Sequence, residues 1–271
     1  MNPYRVARQI IQSFVRRRVL IVLMTLVVFT GPLQAQDTKT DAQKVLKAMS
    51  DYIAAQKNFL ITFDSDVEVI TPEVQKIQFT SSGEALLSRP DKLHAQRTGG
   101  YSDLEVVFDG AIFSVYGKHM NAFAQMDFPG SVDQLVKRFK YDTSFSLPGA
   151  DFLFSDIYDE LMSDVIDAKY VGLGIVDGVE CDQVAFRTRN KDWQLWVETG
   201  DRPIPRKYVI TSKAVAAAPQ YTIRIKQWQS NPRFAEDEFI FKAPPGAAKL
   251  DFTELTNLNE IPISPEEEGT K

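Results

Sequence analysis

His94 and His119 are the two histidines of this 271-residue chain, and Cys181 is its single cysteine. A zinc site needs further ligands around one point, and a nucleophilic cysteine needs a base beside it. The spacing of these three residues forms no recognisable motif, so the histidines read as surface or turn residues. Cys181 lies in an apolar-flanked strand pattern and reads as a buried, inert thiol. Asp64, Asp66 and Glu68 alternate along one strand. They read as a solvated outer face, because successive carboxylates on one side of a strand stand about 7 Å apart and do not converge by themselves.

Gly172-Leu173-Gly174-Ile175-Val176-Asp177 begins like a dinucleotide-binding fingerprint. It lacks the third glycine and runs into the hairpin signal Asp177-Gly178 where a helix would be needed. No phosphate loop, Gly-x-Ser-x-Gly or His-Glu-x-x-His occurs. Carboxylates are plentiful, but the sequence sets no pair of them across a cleft. The sequence thus offers no residues for catalysis, a metal or a cofactor.

The elements that would carry a function start after residue 35. Arg16-Arg17-Arg18 precedes an apolar run from Val19 to Phe29, and Leu33-Gln34-Ala35 follows. A basic stretch, a short apolar core and a small terminal residue describe a signal peptide over 1–35, implying export to the periplasm. An uncleaved anchor is the alternative, since Leu33 stands where a small residue is usual. The first 35 residues hold five arginines and no acid, so without them 26 basic residues face 36 acidic ones and the net charge falls from −5 to −10. That balance argues against nucleic acid as a partner and against electrostatic docking to anionic lipid.

Thr40 and Gln43 form a capping-box pattern, and Ala42, Val45, Leu46, Met49 and Ile53 follow the helical period up to Lys57-Asn58. Phe59 to Val69 alternates as a strand, and Gln75 to Gly83 is the next, with Ile77 and Phe79 inward. Ser131 with Gln134 opens a short amphipathic helix. Phe152 to Asp167 then recurs at helical spacing, so two helices interrupt a β protein as a cap or a lid. Strands continue through Tyr170–Val176, Val179–Thr188, Trp193–Val197, Arg206–Thr211 and Tyr221–Ile225, with Phe239-Ile240-Phe241 as the last. About ten or eleven short strands with turn signals predict one antiparallel sheet curved into a half barrel over 36–252. Residues 253–271 read as an acidic, disordered tail.

The order of these elements resembles the periplasmic lipoprotein-carrier (LolA-like) superfamily, and most of all a subgroup of predicted periplasmic proteins of unknown function. The likeness rests on an opening helix running into Phe59-x-x-x-Phe63, and on Gly83 followed by Arg89-Pro90 and Leu93. It also rests on Asp109-Gly110 with Ile112, Phe113 and Tyr116, and on Phe239-x-Phe241-x-x-Pro244-Pro245-Gly246. Trp193-Gln194-Leu195-Trp196 through Pro205-Arg206-Lys207 is the run most similar to the uncharacterised subgroup. The resemblance implies helices over a concave apolar face, with Arg89 as the latch that holds them.

On that arrangement Phe63, Phe79, Phe113, Tyr116, Met126, Trp196 and Tyr208 line the cavity from the sheet. Leu135, Phe139, Leu153 and Leu161 line it from the helices. The implied ligand is a lipid or other hydrophobic small molecule, bound by a monomer and exchanged with a membrane-bound donor or acceptor protein. The alternative is a non-enzymatic interaction or scaffold protein of the envelope whose cavity is filled by its own side chains.

Overall fold

Phe59, Ile61, Phe63 and Ser65 point to one side of β1 (Asn58–Ile70), while Leu60, Thr62 and Asp64 point to the other, which is the two-residue period of a strand. In the computed structural model, which describes residues 38–100, 103–141 and 149–252, this strand is the centre of the molecule. It pairs antiparallel with β2 (Lys76–Ser88) on one side and with β11 (Gln220–Ser230) on the other. The expected signal peptide and acidic tail lie outside the described residues.

From β2 the chain meanders outward through β3 (Lys92–Gly99), β4 (Asp103–Phe108), β5 (Ile112–Gly117) and β6 (Ala122–Asp127). A second meander runs through β7 (Asp167–Val176), β8 (Val179–Arg187), β9 (Lys191–Glu198) and β10 (Pro205–Ser212) to β11. The pairing of β1 with β11 fuses the two into one curved, open sheet in the order β12-β6-β5-β4-β3-β2-β1-β11-β10-β9-β8-β7. The predicted half barrel is therefore present with twelve strands, the extra one being the two-residue β12 (Ala248–Lys249), parallel to β6. The Asp177-Gly178 hairpin forms as expected. Both residues have positive φ (49° and 81°), the backbone that matches the twist of the flanking strands.

Because β6 and β7 lie toward opposite edges of the sheet, the chain between them has to cross it. It crosses on the inner face as α2 (Val132–Tyr141), a 3₁₀ turn (Ala150–Leu153) and α3 (Ile157–Met162). The capping box of α2 is as predicted: Gln134 N donates to Ser131 Oγ at 3.2 Å and Ser131 N to Gln134 Oε1 at 2.8 Å. With α1 (Thr38–Ala54), these elements bury an apolar layer against the sheet that runs from Leu46 and Ile53 to Phe59, Phe113, Phe152 and Trp193.

Three boundaries differ from the sequence reading. The first helix starts at Thr38, so Thr40 is inside it and does not cap it, and the helix stops at Ala54, before Lys57-Asn58. The predicted helix over 152–167 is broken. Phe154 is extended (φ −60°, ψ 147°), and Asp156 starts a new helix by accepting from Asp159 N at 3.1 Å. Phe239–Phe241 is not a strand, because Glu236–Phe239 forms a 3₁₀ turn.

That last segment belongs to a strap. After Ser230 the chain leaves the sheet, and Asn231 Oδ1 accepts from Lys57 N at 3.1 Å. It then crosses the outer face of β3–β6, with Phe239 buried and the Phe241 ring 5.3 Å from Phe123 and 6.4 Å from Tyr116. At the edge, Ala248 N donates to Asn121 O at 2.9 Å and Leu250 N to Phe123 O at 2.8 Å. Phe252 then turns to the inner face and packs on Phe113 and Phe139 at 5.9 and 6.2 Å.

Candidate functional site

The register of β1 and β2 orders the inner face as rungs: Phe59–Leu87, Ile61–Ala85, Phe63–Gly83, Ser65–Ser81, Val67–Phe79 and Val69–Ile77. The first two rungs are fully buried under the helices, and the last ends in Ile77, which is 38% exposed. Ile77 thus shares the inner face, as its alternation predicts, but lies beyond the helical cover. At the third rung the Phe63 ring lies over Gly83. A Cβ at residue 83 would collide with that ring and stand 2.6 Å from the backbone oxygen of Gln96.

Most predicted lining residues meet on this face. Phe113 packs on Phe139 of α2 with ring centres 4.8 Å apart, and Leu135 of the same helix is buried beside them. Tyr208 lies between Phe152 (5.3 Å) and Trp193 (5.9 Å), while Leu153 and Leu161 close the layer from above. Met126 and Phe63 are half-buried at its margin, and Phe79 sits opposite Val67 on the looser rung.

Two predicted lining residues face the other way. Phe113 and Val115 take the inward positions of β5, so Tyr116 points outward, where its hydroxyl donates to Asn121 Oδ1 at 2.9 Å and its ring meets Phe241. Trp193, Leu195 and Val197 take the inward positions of β9, so Trp196 points outward, with Lys207 Nζ 4.7 Å above its ring. The residue that the sequence reading missed there is Trp193, stacked on Phe186 at 4.0 Å. Its alternation with Asp192 and Gln194 was the available signal. Phe152 and Phe154, both buried, also belong to this layer, and helical spacing over the segment does not set them apart from their neighbours.

Arg89 closes the β2 corner, and its peptide bond to Pro90 is cis. The guanidinium reaches the insert: Nη1 donates to Leu153 O at 3.0 Å and Nη2 to Phe154 O at 2.8 Å. Asp133 of α2 lies 3.8 Å from Nη1 and accepts from Ser155 N at 2.9 Å. Burial lowers the Arg89 pKa and Asp133 opposes the shift, yet an arginine stays charged under these conditions. A charged donor on two carbonyls is among the stronger single hydrogen-bonding arrangements. Lys140 joins the three parts of the insert, lying 3.7 Å from Asp151 and 3.6 Å from Glu160. Burial pushes the Asp151 carboxyl up.

The residues first considered for chemistry are held elsewhere. His94 Nε2 lies 3.0 Å from Glu105 Oε1 across the outer face, and His119 is exposed in a turn. Cys181 is buried, and desolvation raises its thiol to about 11. Asp64 accepts from Ser82 Oγ at 2.6 Å, Asp66 from Thr80 Oγ1 at 2.7 Å, and Glu68 pairs with Lys76 at 2.9 Å. Among the described residues, no three His, Cys, Asp or Glu side chains are grouped to hold a metal, and no helix is long and apolar enough to cross a membrane.

Several solved structures align with much of the chain at low identity. An uncharacterised conserved protein from Thermus thermophilus aligns with a TM-score of 0.45 and 8% identity, over 78% of this chain and 99% of its own. The lipoprotein LppX of Mycobacterium tuberculosis aligns at 0.44 and 12%, over 72% and 98%. The Pseudomonas aeruginosa MucA/MucB complex aligns at 0.41 and 15%, over 75% and 62%. Among curated proteins, none matches the chain. A family model does match, over residues 42–253, and the chain therefore belongs to the family described as predicted periplasmic protein (DUF2092).

Proposed function

We propose that the protein binds a lipid or lipid-like hydrophobic molecule, as a monomer and without catalysis, between the inner face of its sheet and the helical insert. The observation that supports this reading most is the way the insert is held. Its underside is an apolar layer, while Arg89 supplies two hydrogen bonds to the carbonyls of Leu153 and Phe154 at one corner. Lifting the insert at that corner would uncover Phe59, Phe113 and Tyr208 together. Returning such a surface to cover releases roughly 25 cal/mol per Å² of apolar area, so an acyl chain could take the place of the protein's own side chains.

The filled interior favours a second reading. Phe113, Phe139 and Phe252 occupy one side of the layer, and Phe152, Trp193 and Tyr208 the other. An envelope interaction module needs no ligand and would be built in this way.

Native mass spectrometry of protein isolated from the exported fraction without detergent, followed by solvent extraction, separates the two. A discrete lipid mass supports ligand binding. A clean apo mass that persists after incubation with lipid vesicles supports the interaction module. Arg89→Leu should change lipid uptake and lower thermal stability together, since it leaves two carbonyls without their charged donor. Unchanged uptake and stability would remove Arg89 from the mechanism.

A further inference from the structure

The rung Ser65–Ser81 does not fit its surroundings. It lies between Phe63–Gly83 and Val67–Phe79, where the other inward positions of β1 and β2 are apolar or glycine, and each serine is 3% exposed. A pair of small apolar side chains would pack there at least as well, without two hydroxyls to desolvate. Ser65 Oγ and Ser81 Oγ are 2.8 Å apart and share one hydrogen bond. Two hydroxyls carry two protons and that bond uses one, so the pair can still donate to an acceptor.

A cation stands beside the rung. Arg97 is opposite Gly83 on one side and Leu104 on the other, and Ser81 is opposite Gly99, so Arg97 is the diagonal cross-strand neighbour of Ser81. The register of β1–β6 gives Arg97 a further distinction. It is the one charged residue among the inward positions of these strands, where the others are apolar, Gly or Ser. Its Nε is buried. Inward cation and spare hydroxyl donor thus lie on neighbouring strands, at the boundary between the tightly packed rungs under the helices and the looser rungs beyond.

We propose that Ser65, Ser81 and Arg97 hold the anionic head group of the ligand, which is a single-chain amphiphile bearing a carboxylate or a phosphate. This rests on the hydrophobic-ligand reading above. The acyl chain runs from the rung toward Phe59 and Phe113 under the raised insert, and the head stays at the polar rung. An anion removed from water needs charged or strong donors, and this is where the inner face of β1–β6 supplies them.

The test compares palmitate, hexadecyl phosphate, hexadecanol and inorganic phosphate for binding to the full exported chain, by isothermal titration. The two anionic amphiphiles should bind at least about tenfold tighter than hexadecanol, as expected for one charge-assisted contact. Arg97→Gln should abolish that preference while leaving hexadecanol binding unchanged. Ser81→Ala, which alters no charge, should reduce the preference by a smaller factor and controls for any folding defect of the arginine variant. Whichever of palmitate and hexadecyl phosphate binds tighter identifies the head. Equal binding of palmitate and hexadecanol, insensitive to both variants, overturns the head-group site but leaves the hydrophobic-ligand reading standing. Inorganic phosphate binding as tightly as the amphiphiles overturns the amphiphile. Absence of binding by all three chain-bearing probes overturns both readings.

Discussion

The two wings of the sheet are covered differently. The β2–β6 wing has α2 and Phe252 on its inner face and the strap over its outer face, so Leu86, Val107 and Tyr116 are buried although they point away from the helices. The β7–β11 wing packs α1 and the 3₁₀ turn on its inner face, while its outer face carries Gln183 bonded to Gln194, Arg206 to Glu198, and Lys207 over Trp196. A wing held from both sides is a platform, and the Arg89 corner that receives the insert belongs to it. A wing held from one side depends on that same cover for most of its apolar burial.

The sharpest way to break this comparison is to truncate one outward aromatic from each wing. Tyr116→Ala should cost about 3 kcal/mol or more, because it opens a cavity between β5 and the strap and removes the partner of Asn121. Trp196→Ala should cost about 1 kcal/mol, the worth of a half-exposed ring with one cation above it. Denaturant unfolding measures both. Equal losses would mean that the strap adds nothing that a solvated face lacks.

The same pair marks the limit of what the sequence discloses. Alternation within one strand was enough to place Phe113 and Tyr208 inward, and capping chemistry was enough to start α2 at Ser131. It could have placed Trp193 inward and Trp196 outward as well, since Asp192 and Gln194 fix the polar side. Alternation from Phe113 turns Tyr116 outward too, but it does not say whether that outward face is wet or covered. Leu86, Val107 and Tyr116 are no more polar than a covered face should be, because a covered face is what they form. What covers them is the strap, more than a hundred residues later in the chain, and its Phe239-Ile240-Phe241 pattern is the one that a strand would show. The Ser65–Ser81 rung was hidden for a related reason. Two serines on neighbouring strands become a pair only when the register is known.

A middle-sized effect should come from Gly83, where the wings' shared centre is tightest. Gly83→Ala places a methyl group against the Phe63 ring and 2.6 Å from the Gln96 carbonyl oxygen. The ring can rotate away, but the carbonyl belongs to the β2–β3 ladder and cannot. A loss of about 1–3 kcal/mol follows from such overpacking. It should be accompanied by weaker binding of any ligand that uses Phe63. A neutral Gly83→Ala variant would show that β3 yields at this point, and that the platform is softer than its double cover suggests.

The smallest effect distinguishes the wings by electrostatics. On the β2–β6 wing, the hydrogen bond from His94 holds the Glu105 carboxyl below its ordinary 4.5, and both side chains are only about a quarter exposed (25% and 26%). At the tip of the other wing, the Lys226 bond holds Asp177 below 3.8, but those side chains are 43% and 50% exposed. Both folded carboxylates have lowered pKa values. Each therefore contributes stability that is fully present above the unfolded value and is lost as the pH falls through the folded one. Glu105→Gln should accordingly reduce the melting temperature near neutral pH, with the deficit closing as the wild type is acidified through the lowered pKa of Glu105. Asp177→Asn should give a smaller deficit that added salt erases, since an exposed pair is screened and a half-buried one much less so. If both deficits vanished equally in high salt, the outer face of the β2–β6 wing would be as wet as that of its counterpart, and the strap could not be what sets the two wings apart.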